Sequence, residues 1–292
     1  MSGARAAAAI ERFLFTAVNP GPLALLRVVC ALLVILVFHP VGRFIPSPQF
    51  EGVFADHPGL AQFVDAPSWL AAVVMCTGLM AVGLVPRFAS GLLVVLLLPA
   101  LAQFGRYPGR VLVWNVVLCF AFLRSDAAFS IRRLVRDDAI PASPLWPIRI
   151  MQLSLSLLYA ANVVSKLYPA FLSGHVLSLM SMEMNNFHVL IADVVPLPFG
   201  LSIPASVAAT GTVLIESVLA IGWWLPGKRW MVAALGCAFH LALKFVVTIG
   251  WLDWVAISLY LVFLLPLAGV QSASRSRPSG ATSRPRMRAL RR

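Results

Sequence analysis

The run 152-QLSLSLLYAANVVSKLYPAFLSGH-175 decides the fold. It reads as a membrane-spanning helix, yet it carries Gln152, Ser156, Tyr159, Asn162 and Lys166. At about 100° per residue these five fall within roughly 120° of one another. One polar stripe therefore runs along an otherwise apolar helix. Lys166 ends the stripe, just before the helix-breaking Pro169. An ammonium at that depth must meet water, a partner or a substrate.

Composition sets the same frame. The 292 residues are 60% hydrophobic and only 12% charged, with a mean hydropathy of +0.88. Soluble domains carry about 25% charged residues, so a polytopic membrane protein is expected. The net charge of +12 is not a nucleic-acid signature, because the arginines crowd the C-terminal tail and the flanks of apolar runs. That is how a membrane protein records its orientation. Cys30, Cys76, Cys119 and Cys237 each lie within an apolar run without CxxC spacing, and read as small buried residues.

Working outward, the pattern predicts an all-α bundle of about eight spans. They run from about Leu23 to Phe38, Trp69 to Val85, Phe88 to Phe104, Val111 to Leu123, Pro147 to Tyr168, Leu201 to Leu225, Trp230 to Thr248 and Trp251 to Leu267. Residues 1–19 form an N-terminal interfacial segment, with Ile10, Phe13 and Leu14 on one side. Residues 20–268 form the transmembrane domain, and 269–292 a basic disordered cytoplasmic tail. Between spans 5 and 6, HVLSLMSMEM and FHVLIADVV are too short to span and read as re-entrant or interfacial pieces. Eight spans put both termini on one side. Arg87, Arg124, Arg132, Arg133, Arg136, Lys228 and Arg229 share that side, which is therefore cytoplasmic. Lys166 then lies at the outer end of span 5, facing two long outer loops.

Inside the spans, Arg27 and Arg149 are expected to anchor at cytoplasmic headgroups. Glu216 in span 6 and His240 in span 7 lie about 14 and 16 Å from the cytoplasmic end. At nearly equal depth they either share a proton or lock two helices together. Lys244 stands one turn beyond His240 on the same face. If it converges with Lys166, repulsion and desolvation favour a neutral amine, which is useful as a base; otherwise both lysines snorkel outward. His175 and His188 sit near Glu183, Asn185 and Asn186 without a metal-ligand spacing, and no metal is expected. Trp223, Trp224, Trp230, Trp251 and Trp254 read as interfacial belts, or as a site for a flat ring such as a quinone. No Walker loop, GxGxxG, GxSxG or CxxCH occurs.

At LLYAANVVSKLYPAFLSG the chain resembles the vitamin K-dependent gamma-carboxylase-like (HTTM) family. The matching residues are Tyr159, Asn162, Lys166, Leu167, Phe171 and Gly174, with Asn162 replacing the usual small residue. Arg27, Pro147-Ile148-Arg149 with Gln152, Glu216 and Phe239-His240 add to the resemblance, which covers roughly 20–266. The resemblance implies that Lys166 is the base that deprotonates a reduced, vitamin K-like quinone, and that His240 is the matching histidine. Both would face the extracytoplasmic side of the inner or plasma membrane. The large lumenal domain of the carboxylases has no counterpart in these residues. Catalytic roles then fall to Lys166, His240 and Glu216, with Glu216 orienting His240. Tyr159, Asn162, Gln152 and Lys244 would bind substrate. The partners would be membrane lipids and a secreted peptide or another membrane protein. The alternative is a non-catalytic assembly or export partner whose polar residues are helix glue.

Overall fold

The structure is a computed structural model and describes residues 3–38, 67–104, 108–135, 143–177, 194–196, 202–225, 227–246 and 252–265. The expectations placed on the first outer loop, on Glu183, Asn185, Asn186 and His188, on Trp251 and on the C-terminal tail lie outside these residues.

The described chain is almost entirely helical. Helix α1 spans Gly3–Phe15 and α2 Pro20–Phe38. Next come α3, Pro67–Val82, α4, Pro86–Phe104, and α5, Pro108–Phe122. A 3-10 turn, Ser125–Ala127, leads to the short α6, Ile131–Val135. The stretch that opened the analysis is α7, Trp146–Lys166, and α8, Pro169–Leu172, follows it. Then α9 spans Ala205–Ile221 and α10 Arg229–Val246. The last two are α11, Leu252–Leu259, and α12, Leu261–Leu264. Proline opens α2, α3, α4, α5 and α8, where its missing N–H costs no helical hydrogen bond.

Each expected span position thus holds apolar helix. Among the described residues, the runs α2, α7 and 205–224 have both the length and the hydropathy to cross a membrane. The outer faces of the three runs are apolar too. Leu25, Leu32 and Leu36 on α2, Leu153, Leu157 and Val164 on α7, and Leu214 and Ile221 on α9 are all exposed. A helix that is apolar all round is built for surroundings other than water.

Two helix boundaries depart from the sequence reading. The last two residues of FHVLIADVV open a strand, β1 (Val194–Pro196), which pairs antiparallel with β2 (Ser202–Pro204). The helix of the sixth expected span, α9, therefore starts at Ala205, not Leu201. The cause is Pro204: its ψ of 136° is extended, and Ile203 before it is biased to the same region. The last span is divided into α11 and α12 at Tyr260, whose N–H is shared between the carbonyls of Ala256 and Ile257.

One hydrophobic core joins α2, α3, α4, α5, α7, α9, α10, α11 and α12. A smaller cluster of Phe171, Leu177, Ala205, Ala209 and Val213 seats α8 on α9. Gly174 makes that seat possible. Its φ is +86°, and a Cβ there would lie 2.3 Å from the Ala205 backbone.

Arg27 does not snorkel. It is fully buried and donates to the carbonyls of Ser125 and, at 2.6 Å, Phe129. Two carbonyls presented by the turn satisfy the guanidinium more directly than headgroups would. Trp223 is not part of a belt either. It is buried and stacks on Phe263 at 4.7 Å, while Trp230 and Trp254 are exposed. Arg149 ties α7 to α1, with its guanidinium 4.2 Å above the Phe13 ring and its Nε donating to the Phe13 carbonyl at 3.3 Å.

Candidate active site

The polar stripe on α7 faces inward as its periodicity requires. Gln152, Ser156 and Tyr159 are buried, and Asn162 and Lys166 are half-buried. Helix α9 runs antiparallel beside it. The Trp224 Nε1–H donates to Ser156 Oγ at 3.0 Å near one end, and Lys166 meets Glu216 nearer the other. Helices α10 and α11 complete the enclosure.

Between these helices lies a cavity of about 170 Å³. Tyr159, Asn162, Lys166, Glu216, His240 and Asp253 all line it. Phe171, Phe239, Leu158 and Leu243 supply part of the apolar wall. Two polar centres result. In the first, Lys166 Nζ donates to both Glu216 oxygens at 2.6 Å, and Phe171 places its ring 5.7 Å from the same nitrogen. The second is a chain. Tyr159 Oη stands 2.8 Å from His240 Nε2 and 2.6 Å from Tyr260 Oη. His240 Nδ1 stands 2.8 Å from Asp253 Oδ1.

The structure brings together five of the seven residues singled out from the sequence: Lys166, Glu216, His240, Tyr159 and Asn162. Their pairing differs from the expectation. Glu216 holds Lys166, and His240 is oriented by Asp253 and Tyr159. Equal depth was a sound argument, but it left open how each side chain is turned about its helix. Gln152 does not line the cavity. It accepts from Arg149 at 2.8 Å and donates to the Val262 carbonyl at 2.8 Å. Its Cα lies about 21 Å along α7 from that of Lys166, too far to share one small site. Lys244 belongs to α10, but its side chain lies outside the described residues, so its convergence with Lys166 does too. His175 is exposed.

The sequence reading missed Asp253 and Tyr260. A signal existed for both. Asp253 is a carboxylate near the start of an apolar run, and intramembrane carboxylates call for a partner. Tyr260, seven residues on, lies on the same helical face. Gly236, one turn before His240 on α10, gives Tyr260 room: a Cβ there would lie 2.5 Å from its hydroxyl.

Chemically, the first centre places an amine and a carboxyl group 2.6 Å apart, within reach of a direct proton transfer. The second offers a phenol backed by an imidazole and a carboxylate. Among the described residues no group of three or more His, Cys, Asp or Glu stands where it could hold a metal ion. No family model, curated protein or solved structure matches the chain.

Proposed function

We propose that the chain is an eight-span protein of the inner or plasma membrane, with both termini cytoplasmic and the cavity opening on the extracytoplasmic side. It acts as a carboxylase-like enzyme of the vitamin K-dependent class and withdraws a proton from a membrane quinol. The observation that carries this reading is the meeting of titratable side chains from four helices at one cavity. Burying so many ionisable groups is costly unless they have work to do. The size of the cavity supports a ring ligand. An apolar cavity of about 150 Å³ holds one benzene ring, so about 170 Å³ takes a quinol head and leaves an isoprenoid tail among lipid. Phe171 and Phe239 provide apolar walls for such a ring. Lys166 is the general base, in the form that has given its proton to Glu216. Tyr159 and Asn162 hold the quinol oxygens, and His240 relays a proton from behind Tyr159.

The test is oxidation of reduced vitamin K by purified protein in nanodiscs, under air so that dioxygen is the oxidant. Wild-type protein is expected to consume quinol. Lys166→Met, combined with Glu216→Gln to avoid a stranded carboxylate, is expected to abolish consumption while the fold still melts cooperatively. Equal rates in the two proteins, or none in the wild type, would remove the enzymatic reading.

The second reading, a non-catalytic assembly or export partner for a secreted peptide or another membrane protein, is favoured by one feature. The Lys166–Glu216 pair is bidentate, with the carboxylate buried (relative exposure 4%), which is the geometry of a lock between helices.

A further inference from the structure

We infer that the cavity holds a second acid–base centre, distinct from Lys166, in which Asp253 and His240 withdraw the proton of the Tyr159 hydroxyl. The tyrosine oxygen, rather than the imidazole, is then what a ligand meets on that wall. This rests on the reading of the cavity as a proton-transfer site.

The hydrogen positions follow from counting donors and acceptors. An ionised Asp253 accepts only, so His240 Nδ1 carries the hydrogen of their 2.8 Å contact. In the neutral ring Nε2 is then bare and accepts the Tyr159 O–H at 2.8 Å. Tyr159, having given its hydrogen to His240, can only accept from Tyr260 at 2.6 Å. Both imidazole nitrogens are spent, and His240 is nearly fully buried (relative exposure 5%). A phenol oxygen has two lone pairs. One takes the Tyr260 hydrogen, and the other is left for the cavity that Tyr159 lines.

The step balances without a further reagent. A neutral ligand O–H donates into the free lone pair of Tyr159. As that O–H bond breaks and a new Tyr159 O–H bond forms, the original Tyr159 hydrogen passes to His240 Nε2. The ligand leaves the step as an oxyanion, Tyr159 is again neutral, and His240 is an imidazolium beside Asp253. The arrangement follows the logic of a hydroxyl–imidazole–carboxylate triad. Among the described residues lining the cavity, the charged groups besides Asp253 on α11 are Glu216 on α9 and Lys166 on α7, which are paired with each other. The ligand class is therefore a small O–H acid with a flat apolar body. Tyr159 is the catalytic residue of this centre. His240 and Asp253 act through it, and Tyr260, held close to α10 by Gly236, positions it.

The test needs no turnover. In nitrogen-15 histidine-labelled protein, with the His240 signal assigned by its loss in His240→Gln, the wild type is expected to show a neutral ring protonated on Nδ1. Asp253→Asn is expected to move that hydrogen to Nε2, because the amide can donate where the carboxylate could only accept. A wild-type ring protonated on Nε2, or on both nitrogens, overturns the proposal without any variant. As a ligand probe, 4-nitrophenol at saturating concentration, below the pH where it ionises in buffer, is expected to show its phenolate spectrum on the wild-type protein. Tyr159→Phe should lose that spectrum. No phenolate on the wild type, or the same phenolate on Tyr159→Phe, overturns it equally. If both expectations hold while quinol consumption fails, the relay stands and the quinol reading alone falls.

Discussion

Lys166 Nζ lies 2.6 Å from each oxygen of the Glu216 carboxylate. The amine that closes the polar stripe of α7 is therefore tied to the neighbouring helix rather than left at the surface. Removing one member strands the other. Breaking a buried pair costs about 3–5 kcal/mol, whereas replacing both members with apolar residues is often neutral. Glu216 is buried but the Lys166 side chain is 23% exposed, so the lower figure applies. Lys166→Met is expected to lower the melting temperature in detergent, and Lys166→Met with Glu216→Leu to restore most of it. A double variant as unstable as the single would show that the loss does not come from a stranded carboxylate.

Arg27 spans two carbonyls of the 125–129 turn from within α2. Hydrogen bonds to charged groups contribute about 1.5–3 kcal/mol. Arg27→Ala is expected to lose at least that, because buried carbonyls are also left without a donor. Arg27→Lys should recover only part, since an ammonium lacks the fork that serves both acceptors. Urea or thermal unfolding in detergent measures both. Full stability in Arg27→Ala would return this residue to the headgroup role expected from sequence.

Gly174 and Gly236 should respond differently to alanine. At Gly174 the positive φ alone costs about 1–3 kcal/mol, and the added Cβ would meet Ala205 backbone at 2.3 Å. Gly174→Ala is expected to reduce folded yield. Gly236→Ala strikes a side chain, the Tyr260 hydroxyl, so it should displace Tyr260 from Tyr159 at a smaller cost in folding. The two are compared by melting temperature and by the His240 nitrogen signals, which only the second should alter in protein that still folds.

Trp223 and Trp230 divide the tryptophans into core and surface. Trp223 is buried against Phe263 and Tyr260, and Trp230 is 72% exposed. Truncating a buried aromatic costs about 3–5 kcal/mol. Trp223→Ala should be severely destabilised in detergent and Trp230→Ala close to wild type. Similar losses in both would contradict this placement.

The positions of the helices were readable because apolar run length and proline placement act locally. The inward stripe on α7 was readable because five residues share one face. Partner choice was not readable. Glu216 had two cations and a histidine within reach on depth alone, and only the rotation of each helix assigns it to Lys166. Asp253 was overlooked among tryptophans that suggested a membrane interface. Arg27 looked like a headgroup anchor because its partners are backbone carbonyls, which leave no trace in side-chain identity. The β1–β2 ribbon was hidden by apolar residues that suit a short helix as well as a strand.

The tie from Arg27 also orders events during synthesis. Its acceptor at Ser125 lies 98 residues further along the chain. While the chain is being made, that guanidinium has no mate until the turn that will receive it has left the ribosome. A nascent chain halted before that turn carries an unclaimed cation in α2, which is costly in apolar surroundings. The guanidinium is satisfied only once α1 to α5 and the turn after them have been made, so the N-terminal helices can be tied together before the cavity-forming helices α7, α9, α10 and α11 follow in the chain.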